Sequence, residues 1–102
     1  MSGSGIEKID DVIHGRLRMG VMAFLSQSES ASFTELKDAL GVTQGNLSIQ
    51  LRKLEDAGYI SVNKQIVGRK ALTTLRITAQ GRTAFADYLK ALSDLLGLDG
   101  QP

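Results

Sequence analysis

Thr34-Glu35-Leu36-Lys37-Asp38-Ala39-Leu40-Gly41-Val42-Thr43-Gln44-Gly45-Asn46-Leu47-Ser48-Ile49-Gln50-Leu51-Arg52-Lys53-Leu54 is the stretch that decides the fold. It reads as a short helix, a tight turn around Gly41, and a second helix opened by Thr43. In the first helix Leu36, Ala39 and Leu40 are set to face inward, and Gly41 supplies the left-handed residue that stops it. Either Ser32, with Glu35 three residues on, or Thr34 can cap that helix. The second helix runs from the Thr43 cap to near Ala57. At about 100° per residue, Leu47, Leu51 and Leu54 share one narrow arc, which is the spacing of a buried seam. The opposite arc holds Gly45, Ile49, Arg52, Lys53 and Asp56, with Asn46 and Ser48 on its flanks.

Downstream, Ile60, Val62, Lys64 and Ile66 alternate with Ser61, Asn63, Gln65 and Val67, the periodicity of a strand. Leu75 and Ile77 alternate with Thr74 and Arg76 in a return strand, and Gly68-Arg69-Lys70 marks the hairpin tip. Thr78 opens a last helix whose Phe85, Tyr88, Leu89, Leu92, Leu95 and Leu96 form one apolar stripe, and Gly97 begins the exit. Upstream, Ile6, Ile9 and Ile13 recur at the spacing of one helix face, with Gly15 as the break. Leu17, Val21, Phe24 and Leu25 define a further apolar stripe, and Phe33 begins a short strand or staple ahead of the decisive stretch. The predicted fold is therefore mainly α with a small β-hairpin wing. It is a winged helix-turn-helix with a three-helix core, a two-stranded wing and a long C-terminal helix. One domain spans residues 6–97, between a flexible start at 1–5 and a flexible tail at 98–102.

Composition excludes more than it assigns. A chain of 102 residues has room for one modest core, which oligomerisation would naturally supplement. Hydrophobic content of 42% with 23% charged residues suits a globular protein and argues against wholesale disorder. No apolar run approaches the roughly 18 residues of a membrane span, and residues 1–5 lack a signal-peptide pattern, so a cytoplasmic protein is expected. Cysteine is absent and His14 is the only histidine. Disulfides, thiolate metal sites and histidine-activated nucleophiles therefore lack their residues, and neither a metal nor another cofactor is expected. His14 reads as a helix-end or interface residue. An enzyme has no constellation to support it.

The net charge of +1 hides an asymmetry. Residues 44–76 hold six basic residues against two acidic ones, a net of +4, while the segments on either side are net negative. That is the footprint of a phosphate-binding face. A helix-turn-helix lays its second helix in the DNA major groove, where phosphate contacts set the register and base-edge contacts specify sequence. For phosphate the candidates are Arg69 and Lys70 at the wing tip, Lys53 and Lys64, and the amides near Thr43 and Gln44. For base edges they are Gln44, Asn46, Ser48 and Arg52. Ile49 has two readings, a thymine-methyl contact or packing under the wing. Gly45 also has two, close approach to DNA or a fit beneath a neighbouring element. Arg16 and Arg18 have two readings, ion pairs with the acidic first helix or phosphate contacts, and Arg76 and Arg82 read as solvated or paired within the fold.

Gly45-Asn46-Leu47-Ser48 with Leu51 and Leu54, then Glu55-Asp56-Ala57-Gly58-Tyr59-Ile60, then Leu75-Arg76-Ile77-Thr78-Ala79-Gln80-Gly81-Arg82 carry a resemblance to a known family. Together they resemble the winged-helix transcriptional regulators related to the MarR and ArsR groups, over roughly residues 6–96. The resemblance implies dimerisation through the first and last helices and repressor or activator action at a promoter. Two departures matter. ArsR-type metal sensors commonly carry cysteines in the helix before the recognition helix, and residues 32–40 have none. MarR proteins are longer and hold ligands between the DNA-binding lobe and a helical dimer lobe, so this short chain gives no support for a small-molecule effector.

The last helix, about 18 residues and 27 Å long, has length to serve its own core and a second copy. Ile6, Ile9, Ile13, Tyr88, Leu92, Leu95 and Leu96 are the residues expected between the copies of a homodimer. The expected partners are double-stranded DNA and a second copy of the chain, with no membrane. The alternative function is a winged helix used as a protein-interaction module without DNA binding.

Overall fold

The computed structural model describes residues 5–98. The remainder of the expected flexible ends, residues 1–4 and 99–102, lies outside the described residues. A 3₁₀ turn at Ile6–Lys8 leads to α1 (Arg16–Ser26), β1 (Ala31–Ser32), α2 (Phe33–Leu40), α3 (Gln44–Asp56), β2 (Ile60–Val67), β3 (Lys70–Ile77) and α4 (Ala79–Leu96). The three strands form an antiparallel sheet in the order β1-β3-β2. This is the expected winged helix-turn-helix, with a two-residue third strand added where Ala31 and Ser32 pair with Leu75 and Thr74.

The helix boundaries follow from side-chain chemistry. Ser32 is the cap of α2: its hydroxyl accepts from the Glu35 amide at 3.0 Å, while the Glu35 carboxylate accepts from the Ser32 amide at 2.8 Å. Gly41, at φ 64°, ends that helix. Thr43 caps α3 through the Asn46 amide, and Thr78 caps α4 through the Gly81 amide. Leu47, Leu51 and Leu54 are buried, and they meet Val21, Met22 and Leu25 of α1, Leu36 of α2, and Ile60, Leu75 and Ile77 of the sheet in one core. Ala39 departs from expectation. It is exposed, because the two-turn α2 commits Leu36, and partly Leu40, to the core and leaves its third apolar position at the edge.

The N-terminal segment is not the helix its isoleucine spacing predicts. After the 3₁₀ turn, the Asp10 carboxylate accepts from the amides of Val12 (2.8 Å) and Ile13 (3.1 Å), so a side chain takes the bonds a continuing helix would need. As a result the three isoleucines part company. Ile13 is fully buried, Ile9 packs against the core from its edge, and Ile6 is 63% exposed. Ile13 and Tyr88, expected between copies, thus lie inside the protomer's own core, at 0% and 1% exposure. The Tyr88 hydroxyl reaches His14 Nδ1 at 2.9 Å.

Asp10 also fastens this segment to the start of the wing, through a 2.6 Å bond donated by the Tyr59 hydroxyl. That bond, desolvation and the nearby carboxylate charge push the Tyr59 phenol up from 10.0 to about 12. The folded state therefore holds the proton more tightly than the unfolded chain does. The stabilisation is complete below pH 10 and is lost as pH rises from 10 to 12. Tyr59→Phe is expected to cost about 1.5 kcal/mol at neutral pH. It should also flatten the fall in stability across that window, as read by urea unfolding at a series of pH values. An unchanged pH profile in Tyr59→Phe would remove the phenol as its source.

Candidate nucleic-acid interface

Once its leucines are committed inward, α3 must turn the rest of its circumference outward. Thr43, Gln44, Gly45, Asn46, Ser48, Ile49, Arg52 and Lys53 are all exposed. The wing stands beside them. β2 and β3 pair from Ile60 opposite Ile77 out to Val67 opposite Lys70, closing on a two-residue loop of Gly68 and Arg69. Gly68, at φ 67°, occupies the first loop position, where the tight hairpin turns compatible with strand twist require a positive φ. The return strand therefore begins at Lys70, several residues earlier than its alternation suggests. Lys70 is its first paired residue and not part of the tip.

Because the side-chain period of the hairpin is two, Ile60 and Ile77, then Val62 and Leu75, then Lys64 and Thr73, then Ile66 and Ala71 share one face. That face is core at its base and open surface at its tip. Between it, α2 and α3 runs an open groove of about 960 Å³. Gln44, Ser48, Ile49 and Arg52 line it from α3 and Lys64 from the wing, which brings together five of the expected contact residues. Lys53, by contrast, lies on the other flank of α3, and Arg69 and Lys70 lie beyond the groove's outer end.

The structure adds groove residues the sequence pattern did not single out. They are Thr34 and Lys37 from α2, Ala71, Leu72 and Thr73 from β3, and Glu55 as its one acid. Their helix and strand periods mark them only as outward-facing; that two elements lean over a third is a tertiary fact.

For Gly45 and Ile49 the packing alternative fails. A Cβ built on Gly45 would meet nothing within 4 Å, so no neighbouring element explains a glycine there. Ile49 is 57% exposed and is not packed away beneath the wing. The cations are equally unencumbered. Among the described residues the one ion pair joins Lys90 to Asp94 on α4, at 3.1 Å, so Lys37, Arg52, Lys53, Lys64, Arg69 and Lys70 have no carboxylate partner. Arg76 and Arg82 are used within the fold, where they donate to the Glu29 and Ser26 carbonyls. Arg18 was expected to pair with an acid. It donates instead to the Val12 carbonyl and the Gln50 side chain, while the Asp10 carboxylate is taken by the Val12 and Ile13 amides and the Tyr59 hydroxyl.

Known proteins carry the same arrangement. The family model for the winged helix DNA-binding domain matches residues 17–96. An uncharacterized protein of Methanocaldococcus jannaschii is 32% identical over 84 residues, covering 82% of this chain and 91% of its own. The transcriptional regulator homologue from Pyrococcus horikoshii superposes with a TM-score of 0.79 at 31% identity, over 86% of this chain and 88% of that one. A MarR-family protein from Enterococcus faecalis superposes with a TM-score of 0.67 at 28% identity, over 79% and 72% of the two chains. These likenesses place the chain with DNA-binding transcriptional regulators and not with enzymes, and no helix among the described residues is long and apolar enough to cross a membrane. The chain belongs to the winged helix DNA-binding domain family.

Proposed function

We propose that the chain is a homodimeric, sequence-specific regulator of transcription acting in the cytoplasm. In this reading α3 lies in the major groove of duplex DNA and the wing lies on the adjacent backbone or minor groove. The observation that carries it is the exposed, polar outer side of α3, flanked by wing and α2 cations that no acidic side chain neutralises among the described residues. Cations without internal partners are free to release counterions from phosphate, the dominant source of affinity for DNA. Gln44, Asn46, Ser48 and Arg52 offer donors and acceptors to base edges, and Ile49 offers a methyl contact to thymine. Lys53, Lys64, Arg69, Lys70 and the amides at Thr43 and Gln44 face phosphate. Gly45, on the outermost line of the helix, lets the backbone approach closely.

The homodimer reading rests on α4 and the segment beside it. Leu89 and Leu96 are 47% and 58% exposed, and Leu92 and Leu95 are half-buried. The 3₁₀ turn carrying the exposed Ile6 packs along the same helix. Two copies joined there would read two half-sites related by two-fold symmetry.

Selection of bound duplexes from a random pool tests the whole reading, and a two-fold symmetric site is the expected product. Mobility shifts at two salt concentrations then separate the contact classes. Arg69→Ala should weaken binding about equally on all sequences and reduce the log–log salt slope by about one. Arg52→Ala should cost roughly 1–3 kcal/mol and relax one position of the site. A sequence-independent loss for Arg52→Ala removes it from the base-reading set. No binding to any duplex at low salt would favour the protein-interaction module instead.

A further inference from the structure

Three side chains connect α1 to the reading face of α3 in a fixed order. Arg18 Nη1 donates to Gln50 Oε1 at 2.5 Å, and Gln50 Nε2 donates to Asn46 Oδ1 at 3.1 Å. The guanidinium is itself held, because its Nε donates to the Val12 carbonyl at 2.5 Å. It also occupies space that only a glycine leaves open. A Cβ on Gly15 would lie 2.8 Å from Arg18 Nη2 and 2.9 Å from Cζ.

The chemistry gives this chain of bonds a direction. A guanidinium has donors and no acceptor, so Gln50 must turn its carbonyl oxygen towards Arg18. The amide nitrogen of Gln50 is then the end left for Asn46, and it takes the Asn46 carbonyl oxygen. Asparagine alone can present either end of its amide. Here the Nδ2 end, with two N–H donors, is the one left without a partner among the described residues, on an exposed side chain.

Resting on the DNA-binding reading above, we propose that Arg18 and Gln50 are positioning residues that hold Asn46 with its N–H end towards the base pairs, so that Asn46 selects guanine. Guanine presents two acceptors in the major groove, N7 and O6, whereas adenine sets an amino group beside N7, where it would meet a donor.

The relay can be reversed without removing any of its members. In Gln50→Glu the new carboxylate only accepts, so both Arg18 and Asn46 must donate to it, and Asn46 turns its carbonyl oxygen outward. Gly15→Ala displaces the guanidinium while keeping every charge. Duplex selection and sequencing with the full chain, beside thermal melting, compares the wild type with Asn46→Ala, Gln50→Glu, Gly15→Ala and Arg69→Ala. Asn46→Ala should relax a guanine position in each half-site. Gln50→Glu should move that same position towards a base pair offering an amino group, adenine or cytosine, by about tenfold. Gly15→Ala should lower the guanine preference there several-fold and leave other positions unchanged. Arg69→Ala should lose affinity with the selected site intact.

If Gln50→Glu and Gly15→Ala lower binding to all sequences equally with the guanine preference kept, the relay is overturned. Arg69→Ala, still losing affinity with an intact site, would show that the DNA reading survives that failure. If Asn46→Ala relaxes no position, the relay is overturned as well. A wild type that selects no duplex overturns the DNA reading and the relay with it.

Discussion

Gly81→Ala is expected to destabilise the protein by about 3 kcal/mol or more, a melting-temperature loss above roughly 10 °C for a domain of this size. Gly81 lies in the first turn of α4, where that helix docks on the turn between α3 and β2. A Cβ there would stand 2.0 Å from the Tyr59 carbonyl oxygen, 2.9 Å from its carbon and 3.0 Å from Ile77 Cγ1. The carbonyl cannot swing away cheaply. It accepts from the Thr78 amide at 3.0 Å, and the Thr78 hydroxyl is tied to the Gly58 carbonyl at 2.7 Å. The backbones of α4 and the wing junction would have to separate, carrying Phe85 and Tyr88 with them. Gly45→Ala is the opposite case. With nothing within 4 Å of its Cβ, it should gain up to about 1 kcal/mol in stability yet weaken DNA binding. A Gly81→Ala melting temperature within a few degrees of wild type would contradict the docking argument. Unchanged DNA affinity in Gly45→Ala would show that the DNA does not approach there.

The second large effect concerns the proposed homodimer. Leu89→Asp combined with Leu96→Asp places two carboxylates on the part of α4 that the protomer's own core leaves exposed. The fold should survive, since Phe85 and Tyr88 keep their burial. Sedimentation should report a monomer of 11.0 kDa in place of twice that mass. Affinity for a two-half-site duplex should fall at least about 100-fold, with affinity for a single half-site unchanged. Linking two modules typically contributes two to four orders of magnitude through effective concentration alone. A wild-type chain that already sediments at 11.0 kDa would remove the dimer from the reading.

The sequence was most informative where one local period governs burial. Leu47, Leu51 and Leu54 repeat at helical spacing, lie on one arc and are all buried, so the outer side of α3 could be assigned without coordinates. It was misleading where a side chain competes with the backbone. Ile6, Ile9 and Ile13 fit a helix face, but the Asp10 carboxylate intercepts two amides and turns the chain. The outer half of the wing was under-read for another reason. Ile66, Val67 and Leu72 are all exposed on a hairpin that leaves the core behind, so no burial pattern marks where β3 begins.

The burial of Tyr88 and the bond between Arg18 and Gln50 depend on segments 74 and 32 residues away, beyond any local period. The same limit hid the groove side of α2, where Lys37 and Thr34 join the face only because α2 and α3 line one groove. Arg18 shows the limit most plainly. Nearby acidic residues made an ion pair the simplest expectation, but the guanidinium lies over Gly15 and donates to the Val12 carbonyl and Gln50.

Amide chemical-shift mapping with the labelled, preassembled protein and its selected duplex tests the DNA-facing assignment most directly. Shifts at residues 43–53 and along the wing from Lys64 to Thr73, with the outer polar side of α4 around Asp87 and Lys90 unmoved, are the predicted result. Shifts centred on α4, or none at low salt, would contradict it.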